Sequence, residues 1–428
     1  MAINDLTADL VDPQPHTLTK RKTALFIVLV ALGWASDNFD RKVLPVALPY
    51  IGHDFNVGAA ALGALSSIFF AFYAISQVPG GALADRFGSK WLMISSMFAW
   101  SVFTGLMGLG STFWMLMLFQ AAFGIGQGAW PGASMKFVSE IAPARRRMTI
   151  YGVIQFTTAV GSAAAPIAAA VAITWLGWRG MFALYMVIGV VLGVVMWILI
   201  PKSTAGLAGG SEREVRTTPR SAVRRVLHSS VLWKCAVMFV GLDLVMNGVT
   251  AWAPTYLIKA HHVSLIHTGV LASLPGYFSA VAMFIGGVLF DRWFHGRHRW
   301  IMVPCMIVTT VLLVVMTACN SVGLFITFYS AAMFAAYLTF QTVAGLPMRY
   351  CDVEIRGAAT AFVNVGGAVG GFIAPLLVGF LIQEYTYRVG FLVLTVGAVI
   401  AAVASLLCPQ SPERLTVGMN GRPVAHQQ

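Results

Sequence analysis

Charge is scarce in this sequence of 428 residues, of which Lys, Arg, Asp and Glu make up only 10% while 58% is hydrophobic. A soluble domain carries about 25% charged residues. So little polar surface excludes a water-soluble globule. The sequence also lacks a Gly-x-x-x-x-Gly-Lys-Ser/Thr run for cradling phosphates. We therefore predict neither ATP-driven chemistry nor any other enzymatic activity.

Cysteine is scarce as well, and its five residues show no paired spacing. We expect all five to be reduced and to behave as small hydrophobic side chains. Histidines are scattered rather than clustered at metal-ligand spacing, so no metal site is expected. No cofactor is predicted either.

Long apolar runs dominate what is present. Each run is about 20 residues or longer, which is the length that an α-helix needs to cross a bilayer. The backbone of such a run finds no hydrogen-bond partner in lipid and must be helical. The twelve predicted spans are 23–49, 58–80, 91–110, 112–139, 148–174, 180–200, 231–257, 267–289, 300–319, 321–347, 357–382 and 389–408.

Lys and Arg residues follow the predicted spans in an alternating pattern. They cluster at 20–22, 145–147 and 292–299, whereas the connections on the opposite side hold only Arg179 and two others. Because positive charge collects on the cytoplasmic side, we expect both termini in the cytoplasm and the chain in a bacterial inner membrane. The net charge of +12 then reflects topology, so no nucleic-acid partner is expected.

A polar stretch at 201–230 interrupts the spans and reads as a cytoplasmic linker between two bundles. The predicted organisation is a cytoplasmic tail at 1–22, a six-helix bundle at 23–200, the linker at 201–230, a second six-helix bundle at 231–408 and a cytoplasmic tail at 409–428. We expect a monomer in the lipid bilayer.

An internal repeat supports the two bundles. The Gly-Gly-x-Leu-x-Asp-Arg pattern at 80–86 recurs at 286–292, an offset of 206 residues. A second pattern within 147–166 recurs within 356–375, an offset of 209 residues. A parallel duplication of this kind places a solute site between the bundles, near the bilayer midplane.

The segment Gly-Ala-Leu-Ala-Asp-Arg-Phe-Gly-Ser-Lys at 81–90 resembles the loop motif of the major facilitator superfamily. The resemblance implies an all-α integral membrane fold of twelve helices in two pseudo-symmetric six-helix bundles. It also implies a gate whose aspartate pairs with arginine across the bundles; a solvated topology loop is the alternative. The predicted gating residues are Gly81, Asp85, Arg86, Gly88 and Lys90, with Asp291 and Arg292 from the repeat.

A narrower resemblance is to the anion:cation symporter branch, which carries organic anions with protons or sodium. It rests on Asp40-Arg41 in span 1, on Trp-Ala-Pro-Thr-Tyr-Leu at 252–257 and on Ala-Ser-Leu-Pro at 272–275. The branch usually has an Arg and a proton-accepting Glu in span 4, where this chain has Gln120 and Gln127. The proton role of that Glu must therefore have moved, or the coupling differs.

Span 1 carries three charged residues, Asp37, Asp40 and Arg41, at helical spacing that predicts one shared face. A charge at membrane depth costs roughly 2.5–3.5 kcal/mol, so such residues usually serve a function. The guanidinium of Arg41 suits a substrate carboxylate, and either aspartate could release it on protonation. A structural Asp–Arg pair is the alternative.

Span 7 carries Asp243, with Asn247 one turn later. Asp243 follows Asp37 by 206 residues, the repeat offset, so the two are expected to face each other across the cavity. We predict Asp243 as a third proton-coupling candidate and Asn247 as a substrate contact; a buried Asp bonded to Asn247 alone is the alternative.

Other polar residues in the spans either line the pathway or hold helices together. The predicted substrate-binding set beside Arg41 and Asn247 is Tyr73, Gln77, Gln127, Gln155, Tyr337, Gln341 and Asn364. We expect a secondary active transporter that imports a small organic anion with a proton or sodium ion. A sugar acid, a dicarboxylate or an aromatic acid would fit; the alternatives are an organophosphate or drug antiporter and a transport-dead solute sensor.

Overall fold

The computed structural model of the protein describes residues 20–142, 147–201, 219–294 and 297–420, and nearly all of them are helical. Six spans belong to the first half. They are span 1 (Lys20–Asp54), span 2 (Ala59–Phe87), span 3 (Ser89–Leu109), span 4 (Phe113–Gly128, continued by Trp130–Ile141), and spans 5 and 6 in one helical stretch (Arg147–Leu199).

The second half has the same order of elements. They are span 7 (Ser230–Lys259), span 8 (Leu265–Leu289, ending in the π-helical turn Phe290–Phe294), span 9 (Arg299–Ala318), span 10 (Val322–Leu338, continued by Phe340–Tyr350), span 11 (Val353–Glu384) and span 12 (Tyr387–Leu392, continued by Leu394–Leu407).

Local sequence explains the two breaks in the first half. Gly177 has φ 67°, a backbone conformation that favours glycine, and it divides the stretch Arg147–Leu199 into spans 5 and 6. Span 4 is interrupted after Gly128, where Pro131 has no N–H to continue the helical ladder. Span 1, by contrast, continues through Pro45 and Pro49 to Asp54, beyond its predicted end at 49.

The predicted fold class is confirmed. Ten helices in the described part of the chain are long and apolar enough to cross a membrane. One of these, Ile150–Leu199, holds spans 5 and 6, and span 4, which is Phe113–Gly128 continued by Trp130–Ile141, is not among the ten. The total is therefore twelve. Large apolar side chains such as Trp175 and Phe284 lie exposed on the outside, where lipid replaces water.

The two halves meet mainly through span 2 with span 11 and span 5 with span 8, and spans 1 and 7 also contact each other. Glycines allow the close approach. Gly63 lies against the carbonyl of Pro375, and Gly276 lies against Ala163. Such small residues let helix backbones approach closely, as they do at membrane helix interfaces generally.

We call the end of the bundle that carries Asp54 and Glu384 the loop end, and the end that carries Lys20 and Tyr350 the terminal end. At the loop end the halves are joined, since the amide of Ala60 donates to the Gln383 side-chain oxygen at 3.0 Å. Toward the terminal end on span 5, an added Cβ at Gly152 would meet no atom within 4 Å.

Two short helices lie in regions that the sequence analysis treated as linker and tail. The helix Pro219–His228 falls in the predicted linker, and the helix Pro412–Met419 falls in the predicted C-terminal tail. Leu415 and Met419 of the latter are fully buried against the second half. The predicted tail 1–22 up to residue 19, the linker residues 202–218 and the final residues 421–428 lie outside the described residues.

Candidate functional site

A cavity of about 390 Å³ lies between the two halves. Volumes of roughly 300–1,000 Å³ are typical of small-molecule sites. The cavity reaches from Thr250 and Pro375, in the middle of the molecule, to Tyr151 and Met348 near the terminal end. Spans 1, 2, 4, 5, 7, 8, 10 and 11 all contribute to its lining, span 4 through Gln120 and Pro131. It therefore occupies the place that the repeat predicted.

Asp37 and Arg41 form an ion pair on span 1. The Arg41 Nη2 donates to both carboxylate oxygens of Asp37, at 3.1 and 2.9 Å. Asp37 is fully buried, whereas the Arg41 side chain keeps 18% of its surface exposed, in the cavity. The spacing of four residues places both side chains on one face of the helix, as predicted.

Gln127 of span 4 holds this pair from the first half. Its side-chain oxygen accepts a hydrogen bond from Arg41 Nε at 2.7 Å, and its nitrogen donates to the Asp37 carbonyl at 3.0 Å. A glutamate at this position could not donate the second bond when ionised. Gln127 is fully buried and is not part of the cavity lining, so it positions Arg41 from behind.

Aromatic rings cover the guanidinium on another side. The Arg41 Cζ lies 4.3 Å from the centre of the Tyr73 ring and 5.2 Å from that of Phe69, both on span 2. Such cation–π contacts favour a partly desolvated cation over a ring face. Arg41 is thus fixed from three helices, with one side turned to the cavity.

Asp40 is not bonded to this pair in the described structure, although it lies within electrostatic range of both residues. It is 6% exposed and, like Asp37, does not line the cavity; Tyr185 of span 6 is a neighbour in the interior. The structure therefore does not bring all three predicted charges of span 1 together at the cavity. Asp40 as a proton-coupling residue stays a prediction, and its surroundings are the interior of the first half.

Asp243 and Asn247 repeat the geometry of span 1 on span 7. Asn247 Nδ2 donates to Asp243 Oδ1 at 2.8 Å, and both residues line the cavity. Asp243 and Asn247 follow Asp37 and Arg41 by the same 206 residues. In the second half a neutral amide therefore stands where the first half has a cation.

Lys42 is a cavity residue that falls within the predicted span 23–49 and for which no role is predicted from the sequence. It lines the cavity from the first half and lies within electrostatic range of Asp243 in the second half. One signal could have found it, since a charged residue inside a membrane span usually faces the protein interior or a water-filled cavity.

Most of the remaining predicted substrate contacts also line the cavity. These are Tyr73, Gln77, Gln155, Tyr337 and Asn364. Gln341 does not line it; this side chain lies beside Gly287 of span 8. No group of three or more His, Cys, Asp or Glu residues in the described ranges could hold a metal ion.

The predicted gating residues lie at the terminal end. Lys90 Nζ donates to the carbonyls of Trp197 and Ile200 at the end of span 6. Asp291 forms an ion pair with Arg349 of span 10 at 3.1 Å, within its own half rather than across the bundles.

Most of the remaining predicted gating residues make local contacts or lie at helix ends. The guanidinium groups of Arg86 and Arg292 lie over the neighbouring rings of Phe87 and Trp293. Gly88, with φ 87°, separates spans 2 and 3. Gly81 is within span 2, and the Asp85 side chain lies outside the described part of the structure.

This chain is similar to known membrane transporters over most of its length. The family model described as Major Facilitator Superfamily matches residues 26–374 and 295–424. The "Hexuronate transporter" of Bacillus subtilis (strain 168) is 25% identical over 391 residues, which cover 88% of this chain and 92% of the relative.

Two relatives from Escherichia coli (strain K12) are similar over almost their whole length. The "Probable L-galactonate transporter" is 24% identical and covers 93% of this chain and 92% of the relative. A "Probable galactarate/D-glucarate transporter" is 26% identical, with 96% and 98% covered.

A solved structure shares the fold. It is a bacterial homolog of the human lysosomal transporter Spinster in an inward-facing and occupied conformation, with a TM-score of 0.82 at 16% identity, covering 95% of this chain and 100% of that one.

Proposed function

This chain belongs to the major facilitator superfamily of transporters and is not an enzyme, and from that premise we propose that it imports a sugar acid together with a proton. Its curated relatives are named as transporters of hexuronate, galactonate and galactarate or glucarate, which supports an organic anion as substrate. The membrane would be the bacterial inner membrane, with both termini in the cytoplasm.

Arg41 carries this proposal. It is a guanidinium in the cavity between the halves, near the middle of span 1, and its own carboxylate partner Asp37 is on the same helix. A planar guanidinium binds a carboxylate through two parallel hydrogen bonds. A substrate carboxylate can therefore replace Asp37 as the partner of Arg41 without any helix moving.

Polar side chains around Arg41 suit the hydroxyl groups of a sugar acid. Gln77, Gln155, Asn247 and Asn364 line the cavity from both halves, and each amide can donate and accept. Hydroxyl groups that contact both halves would link substrate binding to their relative movement.

The proton would bind to a carboxylate that holds a cation in the empty site, so that protonation frees the cation for the substrate. If Asp37 takes the proton, its bonds to Arg41 weaken and the guanidinium becomes free for the substrate. The site then holds one proton and one carboxylate together, and both leave on the other side of the membrane. Asp243 is the second candidate, because it faces Lys42 within the same cavity.

Alternating access follows from the two interfaces. The halves are closed together at the loop end, and the cavity reaches toward the terminal end. With cytoplasmic termini this conformation faces inward. Rocking the halves about the cavity would close the terminal end, where the predicted gating residues lie, and open the loop end.

The experiment is uptake into proteoliposomes that contain the purified protein. Galacturonate, galactonate and galactarate would each be supplied with an inward proton gradient, with an equal sodium gradient, or with no gradient. We expect accumulation above equilibrium with the proton gradient alone. Counterflow without accumulation under every gradient would contradict coupling, and no counterflow of any sugar acid would contradict the substrate class.

A further inference from the structure

Lys42 is a second cation in the cavity, and within the described ranges nothing binds its ammonium group. The Lys42 side chain lines the cavity beside Arg41. No hydrogen bond or ion pair joins it to any residue of the described part of the chain. Arg41, by contrast, is held by Asp37 and Gln127.

The ammonium group of Lys42, which has no hydrogen bond or ion pair within the described ranges, favours a bound ligand as its partner. Lys42 lies inside span 1, which extends from Lys20 to Asp54, and its side chain lines the cavity between the two halves. A lysine offers three hydrogen-bond donors, and charged groups inside a membrane protein usually face a water-filled cavity or a binding partner.

Asp243 faces Lys42 from the other half but does not satisfy it. The two charges interact across the cavity without forming an ion pair in the described structure. The carboxylate of Asp243 already accepts a hydrogen bond from Asn247. The other titratable groups that interact with this pair are Arg41 and Tyr337. Both side chains line the same cavity, so a ligand in the cavity can contact Lys42 and Asp243 together.

We propose that Lys42 binds a second carboxylate, so that this site takes a linear sugar diacid with one carboxylate on Arg41 and the other near Lys42. This inference rests on the proposed function and specifies its substrate class. The hydroxyl next to the second carboxylate donates to Asp243, which explains why an anion and a cation line the same cavity without forming an ion pair with each other. An α-hydroxy acid end presents both groups on adjacent carbons.

A monoacid of the same length would bind less well. Its terminal alcohol would leave the ammonium of Lys42 desolvated by the substrate without a negative partner. Sites built to bind a polar group discriminate strongly against an analogue that lacks it, because the buried group of the protein is left unpaired. Discrimination should therefore depend on the charge at position 42.

The test compares galactarate with galactonate, which differ only in carrying a carboxylate or an alcohol at one end. Dissociation constants are measured by calorimetry on the full-length protein in lipid nanodiscs. The wild type is expected to bind galactarate at least about tenfold more tightly. Lys42→Met should reduce this preference to near one, and Lys42→Arg should keep most of it because the positive charge remains.

The outcomes separate this inference from the proposed function. Equal affinities of the wild type for the two acids, or an undiminished preference in Lys42→Met, would overturn the diacid site while leaving sugar-acid transport intact. A wild type that binds neither acid nor galacturonate would overturn the proposed function itself. The exposed variant Arg388→Gln serves as the control for protein preparation.

Discussion

Arg41 donates from a single nitrogen to both carboxylate oxygens of Asp37, and both residues belong to the same helix. The pair can therefore open and close while the two halves move as rigid bodies. A pair that bridged the halves would have to break in every transport cycle. The geometry makes the charge state of Asp37 the simplest control over the availability of Arg41 for a substrate.

Neutralising the aspartate that carries the proton should separate exchange from accumulation. For Asp37→Asn we expect counterflow of labelled sugar acid to continue, because Arg41 is free, while uptake driven by a pH gradient is lost. The measurement is both assays on the same proteoliposomes at matched protein content.

Asp243→Asn is the paired variant. If Asp37→Asn still accumulates substrate and Asp243→Asn does not, the proton site lies on span 7. Accumulation by both variants would exclude both residues and leave Asp40 as the next candidate, in the interior of the first half.

Closure of the loop end should depend on glycine at the contact between spans 2 and 11. A Cβ at Gly63 would clash with the backbone carbonyl of Pro375. Gly63→Ala is therefore expected to open the loop end and to slow uptake several-fold. The measurement is labelling of a cysteine at Ala251, a lining residue, by an impermeant thiol reagent added outside cells without other cysteines.

Gly152→Ala is the matched control, since a Cβ there meets nothing within 4 Å. We expect its labelling and uptake to match the parent protein. Equal labelling of the Gly63→Ala and Gly152→Ala proteins would refute the role of this contact in closure.

The predicted gate at the terminal end lies far from the cavity residues that would bind the substrate. Asp85→Asn should therefore slow the exchange of conformations while leaving the dissociation constant of the sugar acid within a few-fold. Counterflow rate and calorimetric affinity are the two measurements, with the exposed Glu413→Gln as a control for loss of one negative charge. Loss of binding by a folded Asp85→Asn protein would argue against a gating role.

Topology can be tested at two positions on opposite sides. A cysteine at Gly210, in the predicted linker, should react only after the cells are permeabilised. A cysteine at Ser111, exposed at the loop end, should react in intact cells. Labelling of position 210 from outside would reverse the proposed orientation, and with it the assignment of this conformation as inward-facing.

Sequence alone predicts the fold because each span must satisfy its own backbone within lipid. It also predicts the contacts that lie within one helix. Asp37 meets Arg41, and Asp243 meets Asn247, because residues four positions apart share a helix face. The shared offset of 206 residues predicted that Asp37 and Asp243 face each other across the cavity, but only Asp243 lines it, and Asp37 is fully buried behind Arg41.

Contacts between helices are what the sequence could not supply. Helical spacing predicted that Asp40 shares a helix face with Asp37 and Arg41. The Asp40 side chain instead lies in the interior of the first half, within electrostatic range of Tyr185. A role for Lys42 is indicated only by the fold, in which Asp243 of span 7 lies within electrostatic range of the Lys42 side chain. Such relationships depend on how helices are rotated and packed, which span-by-span hydropathy does not encode.

Gln127 shows what the sequence could predict about the site and what only the structure reveals. Resemblance identified it as a departure from the glutamate of related symporters, which predicted altered coupling. The structure adds the reason that an amide suits this place, because one side chain accepts from Arg41 and donates to the Asp37 carbonyl. The donor and acceptor are on one amide, and no sequence pattern predicts that arrangement.

We propose that the Arg41 guanidinium binds the substrate carboxylate, and the variant Arg41→Lys probes this interaction. Lysine keeps the positive charge but loses the planar pair of donors. The measurement is the concentration dependence of sugar-acid uptake into proteoliposomes, with the exposed Arg388→Lys as the matched control. We predict that Arg41→Lys weakens apparent affinity or uptake at least tenfold, about 1.4 kcal/mol, and that Arg388→Lys behaves as the wild type. Wild-type rate and affinity in the Arg41→Lys protein would show that the Arg41 guanidinium does not bind the substrate carboxylate.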